Sequence, residues 1–185
     1  MQGTPIDSTV REAAPAAALA FPTHAQGHAG DIIEHLVRRA VLAPESPVAG
    51  ELRSILNAPP EALRVGRIAR RLYVARRTLG RHFRVVGLPA PNEWVGLARA
   101  LLAHRTIARG GPLKAAAAAA GYPDQFTMSN AIHRITGLRP SQLRDVSWTA
   151  FLDVWIARQR EHGTMTGPPR PESRPCPLCG SLRAS

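Results

Sequence analysis

Between Val65 and Ile135 the sequence sets out one plan twice. In the first copy, Val65, Ile68, Ala69 and Leu72 mark one face of a helix, Tyr73-Val74 makes a short connection, and a second helix follows from about Ala75 to Val86. In the second copy, Pro112 opens a helix to about Ala119, Gly121-Tyr122 turns the chain, and Asp124 caps a helix to about Ile135 that Gly137 ends. Leu79 and Met128, 49 positions apart, hold equivalent core places in the two copies. Between them a longer helix is expected from about Asn92, a candidate cap, to Arg109, ended by Gly110-Gly111. Its apolar residues Trp94, Leu97, Ala98, Leu101, Leu102 and Ile107 form a stripe wide enough to be covered on more than one side. No strand pattern appears, so the expected fold is all-α: two helix-turn-helix modules on a connecting helix, with extra helices at both ends.

The flanks are patterned more weakly. Residues 1–30 are rich in Ala, Pro, Gly and Thr without a sustained period and read as a disordered leader. Asp31 is expected to cap a helix carrying Ile32, Ile33, Leu36, Val37, Ala40 and Val41 that Pro44 stops; a second runs from about Val48 to Leu56, ended by Pro59-Pro60. The expected units are therefore 31–57 for these helices, 58–145 for the double module, 146–162 for a C-terminal helix and 163–185 for a flexible tail. Pro15 interrupts the apolar run from Ala13 to Phe21, and Asp7 and Glu12 stand where a secretory leader would be basic. With no apolar run long enough to span a membrane, a cytoplasmic protein is expected.

Charge narrows the partner. The chain carries 24 Lys and Arg against 13 Asp and Glu, a net +11. Between Arg64 and Arg144 fifteen basic residues face two acids, Glu93 and Asp124, giving +13, while the remainder has nine basic against eleven acidic residues, giving −2. All the excess lies in the segment that holds the duplicated plan. A solvated face kept for solubility would intersperse acids; arginines concentrated beside helical periodicity suit a phosphate-bearing partner, because each phosphate they neutralise releases condensed counterions. In the first copy Leu79, Phe83 and Val86 point to the core while Arg77, Arg81 and Arg84 recur on another face of the same helix. A helix of 18 residues spans roughly 27 Å against roughly 34 Å for a turn of B-DNA, so one chain could place two recognition helices in successive major grooves.

These residues resemble the AraC/XylS family of bacterial transcription regulators over about Val48 to Arg144. The stretch "IARRLYVARRTLGRHFRVVG" (Ile68 to Gly87) follows the family's helix, turn and recognition helix, closing on Phe83 and Gly87; in "AAAAAAGYPDQFTMSNAIHRITGLRPSQLR", Gly121, Tyr122, Gly137, Pro140, Ser141 and Arg144 keep step with its closing signature. The resemblance implies groove-facing positions at Arg76, Arg77, Gly80 and Arg81 in the first recognition helix and at Gln125, Phe126, Thr127 and Asn130 in the second. The side chains suit that role: arginine pairs with guanine, Gln or Asn with adenine, and Phe126 or Thr127 can touch a thymine methyl. Arg84, Arg134 and the helix start at Asp124 are expected to meet phosphates or remain solvated. Ala75 stands where the family often has a capping Ser, and Phe126, Met128 and Ile132 where Ser and two Phe are usual; with Ala116 and Ala120 also replacing larger residues, the second module is expected to pack loosely. Many members add a large sensor domain, which sixty weakly patterned residues cannot form, so a stand-alone regulator is expected.

The remaining features carry less. Cys176-Pro-Leu-Cys179-Gly is half of a zinc knuckle that His162 or a second chain could complete, but a plain exposed tail is the favoured reading. Of the seven histidines, His82 and His133 read as packing or surface residues. No phosphate loop, nucleophile elbow or paired carboxylates appear, so neither an enzyme nor a cofactor is expected. Val146, Trp148, Phe151, Leu152, Trp155 and Ile156 give the C-terminal helix an apolar face, which either packs back on the protein or forms a dimer or partner surface through residues 146–160. The expected function is a sequence-specific regulator binding double-stranded DNA and meeting RNA polymerase or another transcription protein. Its rivals are a nucleic-acid binder without sequence preference and an adaptor acting through Trp148 and Trp155.

Overall fold

A computed structural model describes residues 25–166, and the described residues form eight α-helices and no strand. In chain order these are α1 (Ala25–Arg38), α2 (Ala49–Leu56), α3 (Val65–Arg71), α4 (Arg76–Val85), α5 (Pro91–Ala108), α6 (Leu113–Ala119), α7 (Gln125–Thr136) and α8 (Trp148–Glu161), with 3-10 turns at Pro60–Ala62 and Pro140–Arg144. The pairs α3–α4 and α6–α7 flank α5.

α5 is the axis. Its first turn carries Pro91, whose fixed backbone angle suits that position and whose missing N–H costs nothing there; Ala90, not Asn92, is the residue just outside the helix. Because Trp94, Val95, Leu97, Ala98, Ala100, Leu101, Ala103 and Ile107 are all buried, α5 has no solvent stripe to speak of. It touches α2, α3, α4, α6, α7 and α8. Trp94, in its first turn, is fully buried, with its ring 6.4 Å from Phe83 of α4 and 4.7 Å from Trp155 of α8, both edge-on, and its indole N–H donating to the Pro89 carbonyl at 3.2 Å. Edge-to-face aromatic pairs add about 0.5–1.5 kcal/mol each beyond the area they bury.

The apolar face of the C-terminal helix is consumed within the chain. Phe151, Leu152, Trp155 and Ile156 are buried in the common core, and α8 lies against α5 and α7. Of the two readings of the 146–160 face, packing back on the protein is the one observed: Phe151, Leu152, Trp155 and Ile156 fill the protein's own interior, and Trp148 alone of the two tryptophans stays partly exposed. The chain leaving α8 also stays ordered beyond the expected boundary at residue 163, since Met165 is buried and the Thr166 N–H donates to the Gly87 carbonyl at 3.0 Å, closing on the end of α4.

Two expectations at the N-terminal side also change. α1 begins at Ala25, so Asp31 lies inside the helix and caps nothing; residues 25–30 of the expected disordered leader are helical, and residues 1–24 lie outside the described residues. The helix ends not at Pro44 but where Ala40 takes a left-handed conformation (φ 52°), with the Val41 N–H returning to the Leu36 carbonyl. The second module, expected to be loose, has Ala116, Ala120, Met128 and Ile132 fully buried. Alanines let the α6 backbone lie close on α5, so small side chains replace bulk with proximity.

α1 is tied to α8 by charge. Asp153 accepts from His35 Nε2 at 2.8 Å, from Arg39 Nε at 2.7 Å and from a second Arg39 nitrogen, while Arg160 donates to the Arg39 carbonyl at 3.1 Å. The Arg39 hydrogen bond, helped by His35 and opposed by burial, holds the Asp153 carboxyl below its ordinary range.

Two outcomes follow. Trp94→Ala removes the ring that joins α4, α5 and α8 and should cost about 3–5 kcal/mol in urea unfolding; a loss under 1 kcal/mol would show that the ring cluster is not the centre of the fold. A carboxyl whose folded pKa is depressed stabilises above its unfolded pKa and loses that contribution as pH falls through the folded value. Asp153→Asn should accordingly be less stable than the parent at neutral pH, with the gap closing as pH falls below about 4; a gap independent of pH would assign the effect to shape rather than charge.

Candidate nucleic-acid interface

α3 ends in a tight turn in which Tyr73 is left-handed, its N–H bonded to the Arg70 carbonyl and the next N–H, of Val74, bonded to the Ala69 carbonyl. The α6–α7 turn repeats these bonds: Gly121 to Ala118 and Tyr122 to Ala117. The second turn spends one more residue before its helix, which accounts for the 49-residue separation of Leu79 and Met128 where the turns themselves are 48 apart, from Tyr73 to Gly121.

On α4, Leu79 and Phe83 are fully buried and Val86 follows them inward, fixing which face looks out. Arg76, Arg77 and Arg84 are exposed, Gly80 and Arg81 half-buried. The Arg81 Nε is covered and makes no hydrogen bond. The Arg76 guanidinium bends back over α3, where a Cβ on Gly66 would lie 2.4–2.7 Å from it; only a glycine leaves that seat free. A Cβ on Gly80 would meet nothing within 4 Å, so the backbone there is bare to an approaching partner. Behind α4, the His82 ring nitrogen Nδ1 lies 2.6 Å from Glu51 Oε1, bracing α4 on α2. Glu51 thereby sits behind the helix and not on its arginine face.

On α7, Met128, Ile132 and Ile135 are buried, while Phe126, Thr127, Asn130 and Arg134 are exposed and Gln125 is half-buried. Asp124 caps the helix as expected: its carboxylate accepts the Thr127 N–H at 2.7 Å and the Thr127 hydroxyl at 2.8 Å, and the backbone bond from Thr127, chief among these, pulls its pKa down. The Thr127 hydroxyl is therefore committed, leaving its methyl for a partner. Phe126 is 71% exposed. Every residue named from the sequence on these two helices lies on or beside an outward face; the Arg76 guanidinium lies over Gly66, Arg81 is half-buried, and the Thr127 hydroxyl is bonded to Asp124.

Three features escaped the sequence reading. Tyr73 is 96% exposed at the turn before α4. Gly66 provides the seat for Arg76. Arg99, on α5, places its guanidinium 5.6 Å from the Tyr122 ring centre and donates to the Leu63 carbonyl at 3.0 Å, while Pro60 lies against Gly121 at 3.3 Å from a built Cβ. Those contacts join the turn of the second pair to the segment leading into the first. Only the φ > 0 demand at residue 121 had a sequence signal, the glycine itself.

Residues 68–145 match the family model of a helix-turn-helix domain. The match is of the AraC type and is consistent with an AraC/XylS family regulator. Domains of this kind bind DNA in the regulation of transcription, which supports a DNA-binding transcription regulator. The AraC-type region runs from within α3 through α7 to the 3-10 turn carrying Pro140, Ser141 and Arg144, and leaves α1, α2 and α8 outside it. No curated protein and no solved structure matches the chain. Among the described residues no group of three or more His, Cys, Asp or Glu side chains converges as metal ligands would, and Cys176 and Cys179 lie outside the described residues. Among them, too, no helix is long and apolar enough to cross a membrane.

Gly80→Ala tests the bare backbone of the AraC-type domain. With open space at the Cβ, the helix should gain about 1 kcal/mol of stability in urea unfolding, the ordinary Gly-to-Ala difference; a loss instead would reveal a contact that the open face does not have.

Proposed function

We propose that the chain is a sequence-specific transcription regulator that inserts α4 and α7 into adjacent major grooves of one duplex. The observation that carries this reading is the pairing of two outward faces, basic on α4 and polar on α7, each fixed by a fully buried opposite face and each attached to the same helix, α5. Arg77 is the strongest candidate for base contact on α4, since it is exposed and has no hydrogen-bond or ion-pair partner among the described residues, and a guanidinium pairs with the two acceptors of guanine in the major groove. Asn130 offers the corresponding pair of donor and acceptor for adenine, and Phe126 or the Thr127 methyl offers a surface for a thymine methyl. Arg84 and Arg134, one turn or more from the helix starts, serve the phosphates.

A binder without sequence preference would use the same arginines only as clamps, and salt dependence alone does not separate the two readings. Selection of bound sites from random duplexes does. Purified protein should enrich a two-part motif with halves about 10 base pairs apart. Arg77→Ala should then weaken binding by about 5- to 150-fold and relax preference at one guanine, the range expected of a lost bidentate base contact. Enrichment of one half alone would make α7 architectural, and no enrichment at all would leave the clamp reading standing.

A further inference from the structure

Tyr73 and Phe126 are the exposed large apolar side chains among the described residues, and each stands where the chain enters a recognition helix. Phe126 is already accounted for as a groove contact. Tyr73 is not, and it is the odder of the two. Its backbone is left-handed (φ 56°), the conformation that its counterpart Gly121 (φ 71°) adopts without a Cβ penalty in a turn with the same hydrogen bonds. Glycine would therefore serve this turn better. A bulky residue kept in a strained conformation, with nothing among the described residues covering it, is held there by something other than folding. Its surroundings say what: Arg70, Arg71, Arg76 and Arg77 lie within four residues of it, and no acidic residue occurs between Glu61 and Glu93. Arg71 and Arg77 are exposed like Tyr73 itself. Such a surface repels cationic partners and attracts phosphates.

We infer that Tyr73 is a phosphate-contacting residue of the DNA interface, its phenol hydroxyl donating to a backbone oxygen of the duplex beside the groove that α4 enters. The role rests on the proposed reading of α4. Phosphate oxygens flank a recognition helix on both sides, and tyrosine hydroxyls are among the donors that position a protein on them. The strain is the stability given up to carry the hydroxyl there.

The test uses the full chain, a labelled duplex recovered from the random pool by the parent protein, and two variants. Tyr73→Gly should raise Tm, by roughly 2–4 °C, because the left-handed turn is relaxed, and should weaken binding about 10-fold, as expected for a hydrogen bond to a charged group. Tyr73→Phe keeps the ring and loses the donor. It should leave Tm unchanged and weaken binding by a similar factor, uniformly across duplex sequences, since a phosphate contact carries no base preference. Unchanged affinity in both variants, with Arg77→Ala still impaired, overturns the assignment while sparing the function, and turns the exposed ring toward a protein partner. Loss in Tyr73→Gly alone would assign the contact to the ring and overturn the hydroxyl. Absence of any shift with the parent protein overturns the underlying reading and this one together.

Discussion

Trp94 is the contact on which the rest of the molecule turns. Its ring meets Phe83 on one recognition helix and Trp155 on the C-terminal helix, so α4, α5 and α8 share one buried aromatic group. A recognition helix needs to be rigid on the side away from DNA, because a side chain that drifts by an ångström loses a directional hydrogen bond to a base. Phe83 supplies that rigidity through Trp94, and Leu79, one turn earlier, is equally buried. The arrangement also explains why α8 lies outside the AraC-type match and yet belongs to the fold: it closes the third side of the tryptophan.

Acids are placed with equal economy. Glu51 meets His82 behind α4, Asp153 meets His35 and Arg39 between α1 and α8, and Asp124 is spent on the first turn of α7. None of these competes with the outward arginines of α4. A carboxylate on that face would both repel phosphate and pair with Arg77 or Arg84, and desolvating such a pair on binding would cost affinity.

Much of this was legible beforehand, for an identifiable reason. Helical periodicity reports which face is buried, and Leu79, Phe83, Met128, Ile132 and Ile135 are where it put them; the caps at Asp124 and Gly137 are local chemistry that needs no tertiary knowledge. What periodicity cannot report is the partner of a buried face. The stripe on α8 was equally consistent with a second molecule, and only the fold shows Trp94 against Trp155. Contacts made by side-chain termini were invisible for the same reason: nothing in the spacing of Arg76 and Gly66 announces that one covers the other. Tyr73 was missed because a turn position that glycine usually fills gives no periodic signal when tyrosine fills it.

The link between the two helix pairs bears on how such a domain could choose its sites. Besides the shared helix α5, the turn before α7 touches the segment before α3 through Arg99 on Tyr122, Arg99 on the Leu63 carbonyl, and Pro60 against Gly121. Two modules joined by a flexible linker would tolerate a range of half-site separations, each module searching at an effective concentration set by linker length. Modules locked by a continuous helix and a second set of contacts have one separation, and any other must be met by bending or twisting the DNA. On the proposed reading, deformation would then become part of recognition, and base pairs between the two half-sites would matter although no side chain reads them. Rigidity at Arg99 and Trp94 would in this way be converted into selectivity at positions the protein never touches.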